Sequence, residues 1–239
     1  MPISERAYEL GDQLLRRIDR LKSLLLQTTS TTADEAVGLA MSQEIRAACI
    51  IYSIAELEGL TRNLLQLANA EVNNRRHRAA ELRPCMRSLI GHSRFESLRE
   101  TRDAEKVWAH RDAVTNYDNA KEVAILPVVP NAPQPPLDGR TLTPSHFDRI
   151  WVVYGIRTPW YPTVSCRMTL SKLSGLRNDL AHANIPFGEV FSQPGVTPPD
   201  VERYINEISE IAICLVSGFA DHIDNRSYLS AVSSTASVH

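Results

Sequence analysis

Glycine is scarce in this chain, at 10 of 239 residues, while Leu, Ala, Arg and Glu are plentiful. That balance disfavours a fold built on tight turns and favours helix. The four cysteines, Cys49, Cys85, Cys166 and Cys214, stand far apart with no CxxC pair among them. A disulfide framework or zinc site is not expected, and a reducing cytoplasm fits best. Long apolar runs are missing too. The longest, Ile211 to Ala220, is broken by Ser217 and Gly218 and is too short to span a bilayer, so no membrane partner is expected. The opening residues lack a basic leader followed by an apolar core, so no signal peptide is expected. Excess charge of either sign is also absent: 26 Lys and Arg oppose 28 Asp and Glu, a net charge of −2. That excludes a strongly basic coat for nucleic acid.

What is present is enough apolar material, 43% of residues, for a sizeable core in one large domain or two small ones. Leu10, Leu14, Ile18, Leu21 and Leu25 recur at spacings of three and four, which predicts an amphipathic helix over about 3–27. After a Thr/Ser linker at 28–32, a second helix runs from about Ala33 to Asn73, capped by Thr32 or Asp34. Its stripe includes Val37, Met41, Ile50, Ile54, Leu57, Leu64 and Leu65, with Gly59 or Asn69 as a place to break. From Arg78 to Asn119 the helical pattern is choppier. The stretch Val128–Gly139 holds four of the chain's 14 prolines and reads as an exposed, partly extended loop. Thr143-Pro-Ser-His146 caps a short helix through Tyr154. Val164–Ala183 is helical again, lined by Leu170, Leu173, Leu176 and Leu180 and ended by Asn184-Ile-Pro186. Asp200, after paired prolines, caps a last helix over about 201–223. Val123–Val129 is the one weak strand candidate, interrupted by proline. The expected organisation is a single all-α domain over 1–226, an up-and-down bundle with a largely irregular, proline-rich insertion at 120–163, and a loose Ser/Ala-rich tail at 227–239.

The most informative stretch is Arg177-Asn178-Asp179-Leu180-Ala181-His182, near the end of a predicted helix. Histidine moves a proton near neutral pH. Arginine holds a phosphate through paired hydrogen bonds. The ribose 2′-hydroxyl can itself be the nucleophile, so this pair suits RNA cleavage with no metal and no cofactor. Five residues of helix turn about 500°, which sets Arg177 and His182 roughly 140° apart around the axis. Asn178 and His182, four apart, share a face. One helix alone makes a wide, shallow site, whereas two copies across a two-fold axis pool two Arg and two His, so a homodimer is expected. The plainer alternative is that Arg177 and His182 complement the last carbonyls of their helix, with Asp179 as a surface ion-pair partner worth under ~1 kcal/mol.

The segment from Leu173 to Asn184 resembles the hallmark of the HEPN superfamily: an arginine, a polar residue, a short spacer and a histidine. The order of long helices before the motif and one after it is similar as well. Ala55-Glu56-Leu57-Glu58-Gly59-Leu60 is similar to an acidic position carried there by several prokaryotic branches. The closest flavour is the prokaryotic RiboL-PSP-like or MAE-like branch, linked to toxin–antitoxin and anti-phage loci. The resemblance implies a HEPN-type helical bundle and a metal-independent endoribonuclease acting as a dimer. It implies His182 as general base or acid, Arg177 on the scissile phosphate, Asn178 orienting either, and Glu58 as a helper from the second helix, with Asp179 beside them. Its partners would be RNA, a second copy, and an antitoxin or sensor protein. The competing expectation is a non-catalytic helical module that binds RNA or protein.

Charge is locally uneven. Between Arg75 and Arg111 ten Lys and Arg stand against five Asp and Glu, and Arg75, Arg76 and Arg78 form a tight knot. The knot is a candidate RNA-binding surface, or else a solvated helix face. His110-Arg111-Asp112 spells a kinase tripeptide without the other kinase motifs. Trp108, Trp151 and Trp160 are either base-stacking or packing residues.

Overall fold

A computed structural model describes residues 2–28, 35–115, 121–129, 133–182, 187–192 and 195–230. Nine α-helices are formed among the described residues: α1 (Ile3–Thr28), α2 (Glu35–Asn74), α3 (Pro84–Ile90), α4 (His92–Glu100), α5 (Ala104–Thr115), α6 (Pro144–Tyr154), α7 (Val164–His182), α8 (Phe187–Ser192) and α9 (Pro198–Asp224). There is no strand among them. The segment expected as a weak strand contributes only an isolated bridge, Arg78 to Val123.

The four long helices α1, α2, α7 and α9 build the body, and their apolar stripes face one another. Leu14 and Ile18 of α1 are fully buried, as are Ile54, Leu57, Leu64 and Leu65 of α2. All the leucines predicted to line α7 are buried, and so are Ile205, Ile208, Ile211, Leu215 and Phe219 of α9. Each such side chain contributes roughly 1.5–3 kcal/mol by leaving water. Met41 departs from the predicted stripe and is 49% exposed. Cross-links between helices fix their directions. The Cys49 thiol donates to the Leu21 carbonyl, and Arg17 pairs with Glu56 at 2.8 Å, so α1 and α2 are antiparallel. Cys166 donates to Glu210, and Lys172 donates to the Gly195 carbonyl just before α9, so α7 runs against α9. Arg46 of α2 reaches Val196 while Asn69 meets Tyr154, whose ring packs on Phe219. Helices α2 and α9 are therefore parallel, and the four long helices alternate up, down, up, down.

Local sequence explains several boundaries. Helix α2 runs unbroken for 40 residues, about 60 Å, through Gly59 and Asn69. Helix α6 is capped by Thr143, with Pro144 in its first turn and Gly155 left-handed (φ 67°) at its end. Helix α9 begins earlier than predicted. Its cap is Thr197, not Asp200; the prolines fill the first turn and Asp200 closes a capping box with Thr197.

Two expectations about irregular chain are corrected. The tail does not start at Ser227: Tyr228 is fully buried, its carbonyl accepts from Arg83 N at 2.9 Å, and Ser230 N donates to Glu81. Residues 231–239 lie outside the described residues. The proline-rich insertion is not simply exposed either. Leu126 is buried, and Gln134 is fully buried, donating to the Pro127 carbonyl and accepting from Val129 N. Amides on one face of α2 hold this segment: Gln66 donates to Val129, Asn69 to Pro127 and Asn73 to Leu126, at 2.8–3.0 Å. The predicted Thr32 or Asp34 cap and the Asn184-Ile-Pro186 stop lie outside the described residues. No helix among the described residues is long and apolar enough to cross a membrane.

Candidate functional site

The last two turns of α7 carry the motif. Leu176 and Leu180 are buried and anchor the helix, which leaves Arg177 and Asp179 half-buried and Asn178 and His182 exposed. Neither member of the Arg–His pair is sealed into the interior. His182 is the final residue of α7.

A short piece of the insertion, Thr141–Leu142, is clasped between α7 and α2. The Thr141 hydroxyl donates to Asn178 Oδ1 at 2.7 Å. Leu142 N donates to Glu58 Oε1 at 3.1 Å. The Ser174 hydroxyl, one turn before Asn178, donates to the Leu142 carbonyl. Asn178 and Glu58 are thus tied to adjacent residues of one segment, although 120 positions separate them in the sequence. Arg177 Nη1 approaches Asn178 Oδ1 at 3.5 Å and forms no ion pair among the described residues. The expected Arg177–Asp179 surface pair is therefore not formed. Nor does Asn178 bond to His182 among the described residues; its carbonyl is engaged by Thr141, which leaves its amide nitrogen to donate.

Beside Glu58 lies a hollow of about 170 Å³, lined also by Arg62, Arg140, Gly139 and Leu142. Arg62 and Arg140 are exposed there. The wall is stiffened by a short relay: Asp138 meets His146 Nε2 at 3.0 Å, and His146 Nδ1 meets the Thr143 hydroxyl at 2.7 Å. Burial pushes the Asp138 carboxyl up. The Arg140 backbone N–H and the His146 ring outweigh it and hold that carboxyl below its ordinary value. Thr143 and His146 form the capping box of α6, so this relay holds the loop that bears on Asn178.

The basic knot is elsewhere. Arg75 is paired with Glu71 at the end of α2, Arg76 is exposed in a left-handed backbone conformation (φ 52°), and Arg78 is exposed in the extended residue that bridges to Val123. Arg75 is 17 residues beyond Glu58 along one helix, about 25 Å away. Because α7 runs against α2, His182 and the knot sit toward opposite ends of the bundle. Two further arginines of the basic segment are structural. Arg87 donates to the Leu82 and Ala80 carbonyls, and Arg83 to those of Gly155 and Leu229. Trp151 and Trp160 are buried, the latter donating to Asp148, whereas Trp108 is 61% exposed with Arg111 over its ring.

Two residues of this site went unmarked by spacing and charge, Thr141 and Ser174. Ser174 carried a signal, since it precedes Asn178 by four residues and shares its helix face. Thr141 carried none, because its contact spans 37 residues. No family model, curated protein or solved structure matches this chain, so its own residues and their geometry carry the functional argument.

Proposed function

We propose that this chain is a metal-independent endoribonuclease of the HEPN kind, working as a homodimer. In this proposal His182 takes the proton from the ribose 2′-hydroxyl. The 2′-oxygen then attacks phosphorus and the bond to the 5′-oxygen breaks. The leaving oxygen takes its proton from the second copy's imidazole or from water. The products are a 2′,3′-cyclic phosphate and a 5′-hydroxyl. Arg177 binds the nonbridging oxygens and stabilises the charge that builds on them. Asn178, fixed by Thr141, presents its amide to the phosphate, and Glu58 holds the supporting loop through Leu142 N. The knot Arg75, Arg76 and Arg78 serves as a distant contact for the RNA backbone.

The observation that carries this reading is the surface position of Arg177 and His182 at the end of α7, next to a residue clamped by a separate segment. A prokaryotic defence or toxin–antitoxin setting, with an antitoxin or sensor protein as regulator, follows from the resemblance alone. The test is expression of wild type beside His182→Ala, scoring growth and total RNA integrity together. The proposal expects growth arrest and fragmented RNA with wild type only, with His182→Ala slower in cleavage by at least ~100-fold. Equal behaviour of the two chains would remove His182 from the chemistry. One observation favours the second reading, a non-catalytic RNA- or protein-binding module: the Asn178 carbonyl is already engaged within the fold. RNA bound intact, with no cleavage by wild type, would favour that module.

A further inference from the structure

A second hollow, of about 260 Å³, lies at the other end of the bundle. His222, in its wall, is 25 residues along α9 from Thr197, about 37 Å, whereas α7 meets the start of α9 through Lys172. The hollow lies between the end of α9, the connection after α6, the chain after α9 and Arg83. Its polar wall includes Arg83, Arg157, Asp221, His222, Asn225 and Ser227.

Two guanidiniums face this space against one carboxylate. Arg83 is half-buried and held by neutral acceptors, the carbonyls of Gly155 (3.2 Å) and Leu229 (3.3 Å). Arg157 reaches in from the segment after α6 and is exposed. Neither forms an ion pair among the described residues. Gly155 is left-handed, and a Cβ there would come within 3.2 Å of Arg83 Nη1, so glycine keeps the guanidinium in place. His222 is the second observation. It is 3% exposed, and both its ring nitrogens lack a hydrogen-bond partner among the described residues. The imidazole packs on the Tyr154 and Tyr228 rings and feels the Arg83 charge, so it lies directly behind the wall on which that guanidinium sits.

We infer that this hollow binds a small organic phosphate, its phosphate on Arg83 and Arg157 and its hydroxyl-bearing remainder against Asp221, Asn225 and Ser227. Two guanidiniums arriving from separate segments match the several terminal oxygens of a phosphate monoester, whereas one fork suffices for a carboxylate. The volume exceeds what a bare phosphate fills, and the remaining wall offers groups that bond hydroxyls. An anion on Arg83 also offsets the positive charge acting on His222, so the imidazole reports occupancy.

Calorimetric titration of the full chain with inorganic phosphate, ribose 5-phosphate, adenosine 5′-monophosphate and uncharged ribose tests the proposal. The expected result is saturable binding of an organic phosphate with Kd below about 1 mM, weaker binding of inorganic phosphate and none of ribose. The two organic phosphates separate a sugar phosphate from a nucleotide. Arg157→Ala, at an exposed position outside the core, weakens binding by about tenfold or more, and the His222 ring signals in NMR move in step with saturation. Four results overturn the inference: no saturable binding of either organic phosphate, inorganic phosphate binding as tightly as both, unchanged binding in Arg157→Ala, or His222 signals that stay fixed at saturation.

Discussion

His222 shows how strongly one burial event sets the behaviour of a side chain. Burial and the Arg83 cation lower its pKa from the ordinary 6.5 to about 4. The unfolded chain therefore binds a proton in the window between those values while the folded chain does not. Stability is full above about pH 6.5 and falls as pH drops toward 4, by about 3 kcal/mol from this group. Urea denaturation of wild type and His222→Phe at about pH 7 and about pH 4.5 checks this: the variant should lose much less stability over that interval. Equal losses would show that another group carries the slope. Buried Tyr154 is a second sensitive residue, donating to Asn69 Oδ1 at 2.8 Å. Tyr154→Phe leaves that acceptor unsatisfied and should cost about 1–3 kcal/mol in the same denaturation assay.

Among the elements, the extended chain around Leu126 has no strand to pair with among the described residues, and helix α2 takes that role. Asn73 both donates to the Leu126 carbonyl and accepts from its N–H, at 2.9 and 2.7 Å. Asn73→Ala should speed hydrogen exchange at Leu126 while exchange in the middle of α9 stays slow. Unchanged exchange at Leu126 would mean the amide ladder is not what holds the segment. At the start of α9, Thr197→Ala removes the capping hydroxyl and should cost about 1 kcal/mol, read as a lower denaturation midpoint. These elements also show what the sequence made legible. The stripes of α1, α7 and α9 could be read because helix periodicity is local. The packing of the insertion could not, since its partners Gln66, Asn69 and Asn73 come 53 to 63 residues earlier. The tail misled through composition: its Ser/Ala-rich run conceals Tyr228, a single buried ring between His77 and His222. The candidate site divides the same way. Arg177, Asn178 and His182 are neighbours in sequence, whereas the Thr141–Leu142 clasp exists only after folding.

At the scale of the whole molecule, the alternating bundle sets the two candidate sites far apart. One end carries Arg177, Asn178 and His182; the other carries the arginine knot and the second hollow. The proposed dimer brings two α7 ends together, so that one cleft pools Arg177 and His182 of both copies. Mixing inactive Arg177→Ala and His182→Ala chains should restore part of the RNA cleavage, because some mixed dimers regain one complete pair. No recovery from a mixture shown to exchange subunits would contradict the pooled site. The most direct measurement is of the ends left on RNA cut by purified protein in EDTA. The account predicts 2′,3′-cyclic phosphate and 5′-hydroxyl ends from wild type and intact RNA with His182→Ala. Cleavage that leaves 5′-phosphate ends, or that survives the loss of His182, would contradict it.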